Sequence, residues 1–290
     1  MRHLIVYTAD LHGNETQYQK LIKYAIDKSA NSIIIGGDIA PKEDSQNYME
    51  NQRKFIQNEL PKLILPLKQQ LPNSNLFLLM GNDDCWANLE ELEQNDPKLY
   101  RIIHNKRIKI TEDFEIIGYS YVPITPFALK DWEKFDLTEI PESLRREHER
   151  RKNNCRFDGY KTDSEGWQKF QFSPQMERLD SIQKDLNKEL FKRNSDRTIY
   201  IIHSPPNRTN LDQMFGGHVG SFAVREFIEK EQPYITLHGH IHETVKISGK
   251  FKDQIGKTIC LSSGNHNVSQ NLALLVFDLY NPEEVKRLII

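Results

Sequence analysis

The sequence predicts an α/β fold in which the strands are buried on both faces. Short runs of apolar and β-branched residues alternate along the chain with stretches of helical periodicity. The runs are continuously apolar, with no alternation of apolar and polar residues, which is typical of strands covered on both sides. Polar motifs follow several of these runs directly, and strand carboxyl ends converge on the ligand crevice in α/β sheets.

The first 80 residues predict strands and helices in alternation. Apolar residues between Tyr18 and Ile26 recur at helical spacing and form one amphipathic face. A second helical region extends from about Gln46 to Gln70. We expect Pro61 and Pro66 to end or kink it, because proline disrupts a helix interior. The strands around these helices are predicted at Leu4 to Tyr7, Ile33 to Ile35 and Leu76 to Met80.

The C-terminal third of the chain repeats this alternation more densely. A helix is predicted from Ser221 to Glu229, because Ser221 suits an N-cap and apolar residues follow it. The segment from Thr244 to Lys250 is predicted to be an edge or hairpin strand. Four further strands are predicted at Thr198 to Ile202, Tyr234 to Leu237, Thr258 to Leu261 and Leu272 to Leu279.

The middle of the chain is highly charged and carries no clear strand alternation. Residues 125–195 are therefore expected to form a mainly helical or irregular insertion within a single domain that spans residues 1–290. The densest charged part, from Leu144 to Lys152, fits a solvated helix with charges of mixed sign. The alternative is a cap over a functional site, in which the arginines bind a phosphate or carboxylate of a substrate.

The composition argues against several classes of protein. Lys and Arg number 39 against 41 Asp and Glu, so the formal net charge of −2 gives no global attraction to nucleic acid or membrane lipid. Fourteen Phe and eleven Tyr argue against disorder. No apolar run approaches the roughly 20 residues that span a bilayer, and the apolar start does not suit a signal peptide. Three separated cysteines indicate neither disulfides nor a thiolate zinc site, so we expect a reduced, cytoplasmic location.

Five polar motifs follow the carboxyl ends of five predicted strands. Their Asp, Asn and His residues form an oxygen and nitrogen donor set that suits Mn²⁺, Fe, Zn²⁺ or Co²⁺ better than Ca²⁺. Each motif alone is common, and the prediction depends on all five occurring in this order. They are Asp10-Leu11-His12-Gly13-Asn14, Gly37-Asp38, Gly81-Asn82-Asp83-Asp84, His203-Ser204-Pro205-Pro206 and Gly239-His240-Ile241-His242.

In this order the motifs resemble those of the calcineurin-like metallophosphoesterase superfamily. That pattern runs Asp-x-His, Gly-Asp, Gly-Asn-His-Asp/Glu, a lone His and Gly-His-x-His, and the resemblance covers residues 1–122 and about 196–280. It implies a four-layer α/β/β/α sandwich of two mixed sheets. It also implies a phosphoesterase that hydrolyses a phosphodiester or phosphomonoester with a hydroxide that bridges two metal ions.

The resemblance further implies a ligand set for two divalent cations. Asp38 would bridge them and is therefore also a catalytic residue. Mn²⁺ is the first expectation, and Fe, Zn²⁺, Ni²⁺ and Co²⁺ are alternatives. Two cations about 3.5–4 Å apart neutralise phosphoryl oxygens and lower the pKa of a shared water. One ion is assigned to Asp10, His12 and His242, and the other to Asn82, His203 and His240.

Asp83 departs from the family pattern, which has a histidine at this position to protonate the leaving group. A carboxylate beside two dications stays ionised and is a poor proton donor. Asp83 is kept as a catalytic candidate in place of the histidine, and three explanations stay open. The leaving group needs little protonation, as with an aryl, acyl-phosphate or nucleotide group; a second residue such as His218 donates the proton; or the protein binds metal without turnover.

The candidate substrate ligands are Asn14, Asn82 and His218. His218 lies in Gly216-Gly217-His218-Val219-Gly220, where it would bind a phosphate before a helix or face solvent in a tight turn. Asn14 and Asn265 would line the substrate or support the ligand loops, and a structural role in a turn is the alternative for both.

Two classes of function remain. The first is a metal-dependent phosphoesterase that acts on a small-molecule phosphate ester or nucleotide. The alternative is a catalytically weak or silent protein of the same fold that serves binding or scaffolding. A Ser/Thr protein phosphatase is disfavoured, because Gly37-Asp38-Ile39-Ala40-Pro41 differs from the Gly-Asp-x-Val-Asp-Arg-Gly of that branch. Nuclease activity is not indicated, because no basic stripe interleaved with aromatic residues is present. The sequence predicts no membrane partner and no particular oligomeric state.

Overall fold

Two six-stranded mixed sheets lie face to face, and helices cover the outer face of each. The computed structural model describes residues 2–42, 47–214, 217–266 and 268–290. The four-layer α/β/β/α sandwich implied by the motifs is therefore confirmed. Among these residues, no helix combines the length and apolar character that crossing a membrane requires.

The helices and strands alternate along most of the chain. The helices are α1 (Glu15–Asp27), α2 (Tyr48–Lys54), α3 (Leu60–Gln70), α4 (Leu89–Glu93), α5 (Glu142–Lys152), α6 (Pro174–Leu179), α7 (Ile182–Leu186), α8 (Glu189–Lys192), α9 (Phe222–Glu231) and α10 (Thr244–Ser248). The strands are β1 (Leu4–Thr8), β2 (Ser32–Gly36), β3 (Asn75–Leu79), β4 (Arg101–Ile102), β5 (Ile108–Lys109), β6 (Glu115–Tyr119), β7 (Val122–Pro123), β8 (Glu133–Lys134), β9 (Asp158–Asp163), β10 (Gly166–Gln171), β11 (Thr198–Ile202), β12 (Gln213–Met214), β13 (Gly217–His218), β14 (Ile235–His238), β15 (Lys252–Ile255), β16 (Thr258–Ser262), β17 (Ala273–Asp278) and β18 (Asn281–Ile289).

Parallel strands form the centre of both sheets. The first sheet has the order β18-β17-β1-β2-β3-β4 and is parallel from β1 to β4. The second has the order β15-β16-β14-β11-β6-β5, with its four central strands parallel. Ile5 and Tyr7 of β1 pack between the sheets with Ile201 of β11, whereas Val6 faces the helix layer. Because the central strands are buried on both faces, their sequences are continuously apolar.

The helical region predicted near residues 46–70 is present, and its prolines do not end it. α2, a π-helical turn (Phe55–Glu59) and α3 follow one another without a break. The N–H of Leu60 donates to the carbonyl of Phe55, five residues earlier. This wider turn lies directly before Pro61, which has no N–H of its own to donate. Pro66 lies inside α3.

The strand predicted at residues 244–250 is wrong, because this segment forms α10. Gly249 follows the helix with a φ of +71°, and its N–H donates to the carbonyl of Val245 at 3.0 Å. Glycine adopts this left-handed conformation without strain and ends the helix there. The edge strand is instead β15, which pairs antiparallel with β16. The periodicity of so short a segment does not distinguish a helix from a strand.

The charged middle of the chain contains a hairpin that sequence analysis did not predict. β9 and β10 pair antiparallel over six residues each. α5 coincides with the densest charged stretch, as expected for a helix there. A buried ion pair, with Lys130 Nζ 2.8 Å from Glu133 Oε2, lies in the segment between β7 and α5. Sequence analysis also did not predict β6 and β18.

Candidate metal centre

The candidate site lies where five parallel strands from both sheets end. The loops after β1, β2 and β3 meet the loops after β11 and β14 at this edge. Asp10, His12, Asp38 and His240 lie in these loops with φ values of 57°, 43°, 52° and 67°. Residues other than glycine rarely adopt this left-handed conformation, which costs of order 1–3 kcal/mol each. Backbone strain concentrated in one place is typical of a functional site.

One part of the cluster consists of Asp10, His12, Asp38 and His242. Each offers one ligand atom, and these atoms lie within 4.8 Å of one another. The Nε2 atoms of His12 and His242 are 3.3 Å apart. His12 Nε2 lies 3.7 Å from Asp38 Oδ2, and His242 Nε2 lies 3.7 Å from Asp10 Oδ1. These are the residues that sequence analysis assigns to one cation, together with the bridging carboxylate.

The other part of the cluster consists of Asn82, His203 and His240. Asn82 Oδ1 lies 2.6 Å from His240 Nδ1 and 3.2 Å from His203 Nε2. His203 Nε2 lies 3.3 Å from Asp38 Oδ2, so Asp38 contacts both parts of the cluster. The structure therefore brings all seven residues with an assigned ligand role together at one place.

The surroundings of this cluster fit bound divalent cations. His203 Nδ1 lies 2.8 Å from the carbonyl oxygen of Gly36. This carbonyl holds the Nδ1–H, which leaves the lone pair of Nε2 facing the cluster. A Cβ atom at Gly37 would overlap the ring of His203, and one at Gly81 would overlap the carboxylate of Asp38. These glycines therefore let the backbone come close to the ligand side chains.

The ligand side chains shift one another's pKa values. Burial lowers the pKa of His12 to about 4 and that of His240 to about 3, so both rings are neutral and able to bind a metal. Burial also disfavours charge on His203, but the carboxylate of Asp38 outweighs burial and raises the pKa of His203 to about 9. In turn, although burial opposes ionisation, His203 holds the pKa of Asp38 well below its usual range. A cation that replaces the proton on His203 would neutralise Asp38 instead.

The buried carboxylate of Asp84 connects two of the ligand-bearing loops through hydrogen bonds. Asp84 is fully buried and accepts hydrogen bonds from three backbone N–H groups. Two are those of Ile39 at 3.1 Å and Ala40 at 2.9 Å, in the loop that carries Asp38. The third is that of Gly81 at 2.8 Å, in the loop that carries Asn82. Asp84 thus fixes the position of one loop relative to the other.

Asn265 supports the loop after β1 from the opposite side. Its amide donates to the carbonyl oxygens of Ala9 and Asp10, both at 3.2 Å, and its oxygen accepts from the N–H of Ala273 at 2.9 Å. Asn14 accepts from the N–H of Gln17 at 3.1 Å and is the N-cap of α1. Asn265 therefore supports the loop that carries Asp10, and Asn14 caps α1.

A cavity of about 470 Å³ opens beside the cluster. Asp38, Asn82, His240 and His242 are among its lining residues. Residues of the charged middle segment also line it, including Phe157 and several residues of α5. This segment therefore shares a cavity with the metal-ligand cluster.

Lys42 lines this cavity, and sequence analysis missed it. Its Nζ lies 2.7 Å from Asp83 Oδ2 and 4.7 Å from the centroid of the Phe127 ring. The N–H of Asp83 donates to Asp38 Oδ1 at 2.9 Å, which places the Lys42–Asp83 pair directly beside the cluster. Lys42 lies four residues beyond Asp38, in a loop where neither periodicity nor a family motif marks it. Lys42 is identified by its position in the folded structure, beside Asp83.

His218 is not among the residues that line the described cavity, although its neighbour Val219 is. Its Nδ1 lies 2.7 Å from Asp212 Oδ1. Its carbonyl oxygen accepts a hydrogen bond from Arg151 at 2.7 Å. The structure thus brings Asp83 to the cluster and leaves the imidazole of His218 paired with a carboxylate elsewhere.

A comparison with known protein families finds a match over most of the chain. The family model described as calcineurin-like phosphoesterase matches residues 3–244. The chain belongs to this family. The resemblance drawn from the five motifs is therefore confirmed. A comparison with curated proteins finds no match.

Solved structures with this fold have low sequence identity to the chain. One crystal structure is 15% identical with a TM-score of 0.60, covering 100% of this chain and 99% of the other. The structure of TT1561 of Thermus thermophilus is 17% identical with a TM-score of 0.55, covering 99% and 98%. A dimetal phosphatase from Danio rerio is 12% identical with a TM-score of 0.48, covering 99% and 98%. At these identities the first two structures show the fold alone.

Proposed function

We propose that this protein is a dinuclear-metal-dependent phosphoesterase that hydrolyses a phosphodiester or a phosphomonoester. The observation that carries the proposal is the cluster in which Asp38 contacts His12 on one side and His203 on the other. A single carboxylate between two groups of ligands is the arrangement that sets the separation of two cations. Membership of the calcineurin-like phosphoesterase family supports the same activity.

The residues of the cluster suit this chemistry. When bound, two divalent cations would neutralise the phosphoryl oxygens and lower the pKa of a shared water, and Mn²⁺ is the first candidate. Burial keeps His12 and His240 neutral, so their lone pairs are free for metal binding near neutral pH. Asp84 and Asn265 hold the loops that carry Asp38 and Asp10, and such supporting contacts tune metal affinity.

We assign the leaving-group end of the site to the Lys42–Asp83 pair. Burial disfavours charge on Lys42, but Asp83 outweighs it and raises the pKa of Lys42, so the ammonium persists at neutral pH. Lys42 and Asn82 line the same cavity, and the ammonium can donate a hydrogen bond to a departing oxygen. Asp83 is then the residue that positions Lys42, while Lys42 occupies the role of the missing histidine.

The charged middle segment is proposed to act as a cap within a single domain. Phe135, Arg151 and Phe157 belong to this segment and line the same cavity as Asp38. Such a cap would exclude water from the site and select among substrates. The substrate would be a small-molecule phosphate ester or nucleotide, because a cavity of about 470 Å³ suits a small ligand.

The proposal is tested by Mn²⁺-dependent release of p-nitrophenol from p-nitrophenyl phosphate and bis(p-nitrophenyl) phosphate. Asp38→Ala and His240→Ala are expected to abolish the release, whereas Asp27→Ala, an exposed carboxylate on α1, should leave it unchanged. Activity that survives both cluster variants would contradict the assignment. Tight metal binding without turnover of either ester would favour the alternative, a scaffold protein of the same fold.

A further inference from the structure

The cavity beside the metal-ligand cluster is larger than a phosphate group requires. Its volume of about 470 Å³ falls within the range of about 300–1,000 Å³ that is typical of sites for drug-sized ligands. Asp38, Asn82 and His240 are only a few of its lining residues, and many of the others belong to the middle segment. The part of the cavity that these other residues line is available to the organic group of a phosphate ester.

The walls of this space are mainly apolar and aromatic. Phe135 and Phe222 are buried in the wall and Phe157 is half-buried, and they come from three separate parts of the chain. Val219 and Phe127 also line the cavity and remain 38% and 46% exposed. Apolar surface of this kind gains free energy when an apolar ligand removes it from water. Aromatic rings add a preference for a flat ring that can stack offset or edge-to-face.

One face of α5 supplies the polar part of the same wall. His148, Arg151 and Lys152 have the spacing i, i+3 and i+4, which places them together on one side of the helix. His148 Nδ1 and Arg151 Nε are buried and have no hydrogen-bond partner among the described residues. The guanidinium of Arg151 lies 4.3 Å from the Phe222 ring, so it is held against the apolar wall. Arg151 and Lys152 thus bring two cations to the lining, with Glu147 Oε1 3.9 Å from Arg151 Nε and Glu177 Oε2 3.6 Å from Lys152 Nζ.

We propose that the substrate of this site is a phosphate ester with a large aromatic organic group. The ring system lies between Phe157, Phe222 and α5, while the phosphate lies at the cluster around Asp38. This inference rests on the proposed function and names its substrate class. It also agrees with the absence of the family histidine: a phenolic oxygen has a pKa of about 10, as tyrosine does, so it needs less protonation than an alkoxide, and a hydrogen bond from Lys42 suffices.

Binding is measured first, because it requires no turnover. The fluorescence of 2-naphthol and a competition assay with phenol give both dissociation constants for the full-length, chelator-treated protein. We expect 2-naphthol to bind about tenfold more tightly than phenol, and Phe157→Ala to remove most of this difference. Val219→Ser, a change at an exposed position that the fold tolerates, should weaken 2-naphthol binding several-fold. Trp167→Ala, an exposed aromatic of the same segment outside the cavity lining, should change nothing. Equal binding of the two phenols, or no effect of either cavity variant, would overturn the inference.

Turnover then separates this inference from the proposed function. The ratio of kcat/KM for 2-naphthyl phosphate to that for phenyl phosphate, measured with Mn²⁺, should be about ten and should fall toward one in Phe157→Ala. Hydrolysis of both esters at equal kcat/KM would overturn the inference and leave the phosphoesterase assignment intact. Tight binding of 2-naphthol with no hydrolysis of either ester would support the aromatic site and overturn the phosphoesterase assignment.

Discussion

The substitution Asp84→Asn tests whether this buried carboxylate holds the two ligand-bearing loops together. The carboxylate accepts three backbone N–H groups, from Ile39, Ala40 and Gly81. An asparagine at this position keeps one acceptor oxygen and places an NH₂ group against at least one of those N–H donors. Each buried polar group left unsatisfied costs about 1–3 kcal/mol, so leaving one backbone N–H and the new amide NH₂ without acceptors should cost about 2–6 kcal/mol. That is a large part of a typical free energy of unfolding of about 5–15 kcal/mol.

The measurement is urea-induced unfolding of the metal-free protein at pH 8, followed by Mn²⁺ titration. This pH lies above the value of about 7 to which burial and Asp38 raise the pKa of Asp84, so the parent protein carries the ionised group. Mn²⁺ affinity should fall by about 10–100-fold, as is typical when a group that supports a metal ligand is lost. The control is Asp113→Asn, at a partly exposed carboxylate far along the chain. A change in unfolding free energy below about 0.5 kcal/mol, with unchanged Mn²⁺ affinity, would refute the role given to Asp84.

Three further outcomes are expected. Lys42→Met should lower kcat about 100-fold for esters with poor leaving groups and much less for p-nitrophenyl esters. The Mn²⁺ affinity should be unchanged in this variant, and Lys42→Arg should retain part of the rate. Lys130→Met should lower the free energy of unfolding by about 3–5 kcal/mol, because it leaves the buried carboxylate of Glu133 without its counter-ion. Urea unfolding should show that Lys130→Met/Glu133→Leu recovers part of this loss, since Thr125 then loses its acceptor. Mn²⁺ affinity should fall as the pH is lowered from 9 to 6. The pKa of His203 is raised to about 9, so this ring must lose its proton to bind the metal. Calorimetry in buffers of different ionisation enthalpy measures the number of protons released.

For each of these three predictions, a different experimental result would contradict it. Equal rate losses for good and poor leaving groups would remove Lys42 from the leaving-group end of the site. A double variant no more stable than Lys130→Met would mean that the pair is not the source of the loss. Mn²⁺ binding that releases no proton near pH 7.5 would show that His203 is already neutral in the metal-free protein.

The cluster could be predicted from the sequence because strand ends fix its position. Asp10, Asp38 and Asn82 each follow a short apolar run, and parallel strands bring such positions to one edge of a sheet whatever their separation in the chain. The apolar runs themselves are clear because β1, β2 and β3 are buried on both faces. The same local signals identified α9 from its cap at Ser221.

The residues that sequence analysis missed depend on contacts between distant segments. Lys42 is distinguished only by its contact with Asp83, across 41 positions of the chain. The aromatic wall combines Phe157 with Phe222, and no local pattern relates these two residues. The strand predicted at residues 244–250 is wrong because seven residues of mixed polarity carry too little periodicity, and the left-handed Gly249 ends a helix there.

The central claim is that Asp38 joins two cation sites, and metal stoichiometry tests it most directly. The chelator-treated protein is titrated with Mn²⁺ by calorimetry, and elemental analysis of the dialysed complex gives the number of ions bound per chain. We expect two equivalents for the parent protein and a loss of at least one in Asp38→Ala, with two retained in Asp27→Ala. A chain that binds no Mn²⁺ in excess metal, or an Asp38→Ala variant that still binds two ions with unchanged affinity, would contradict the account.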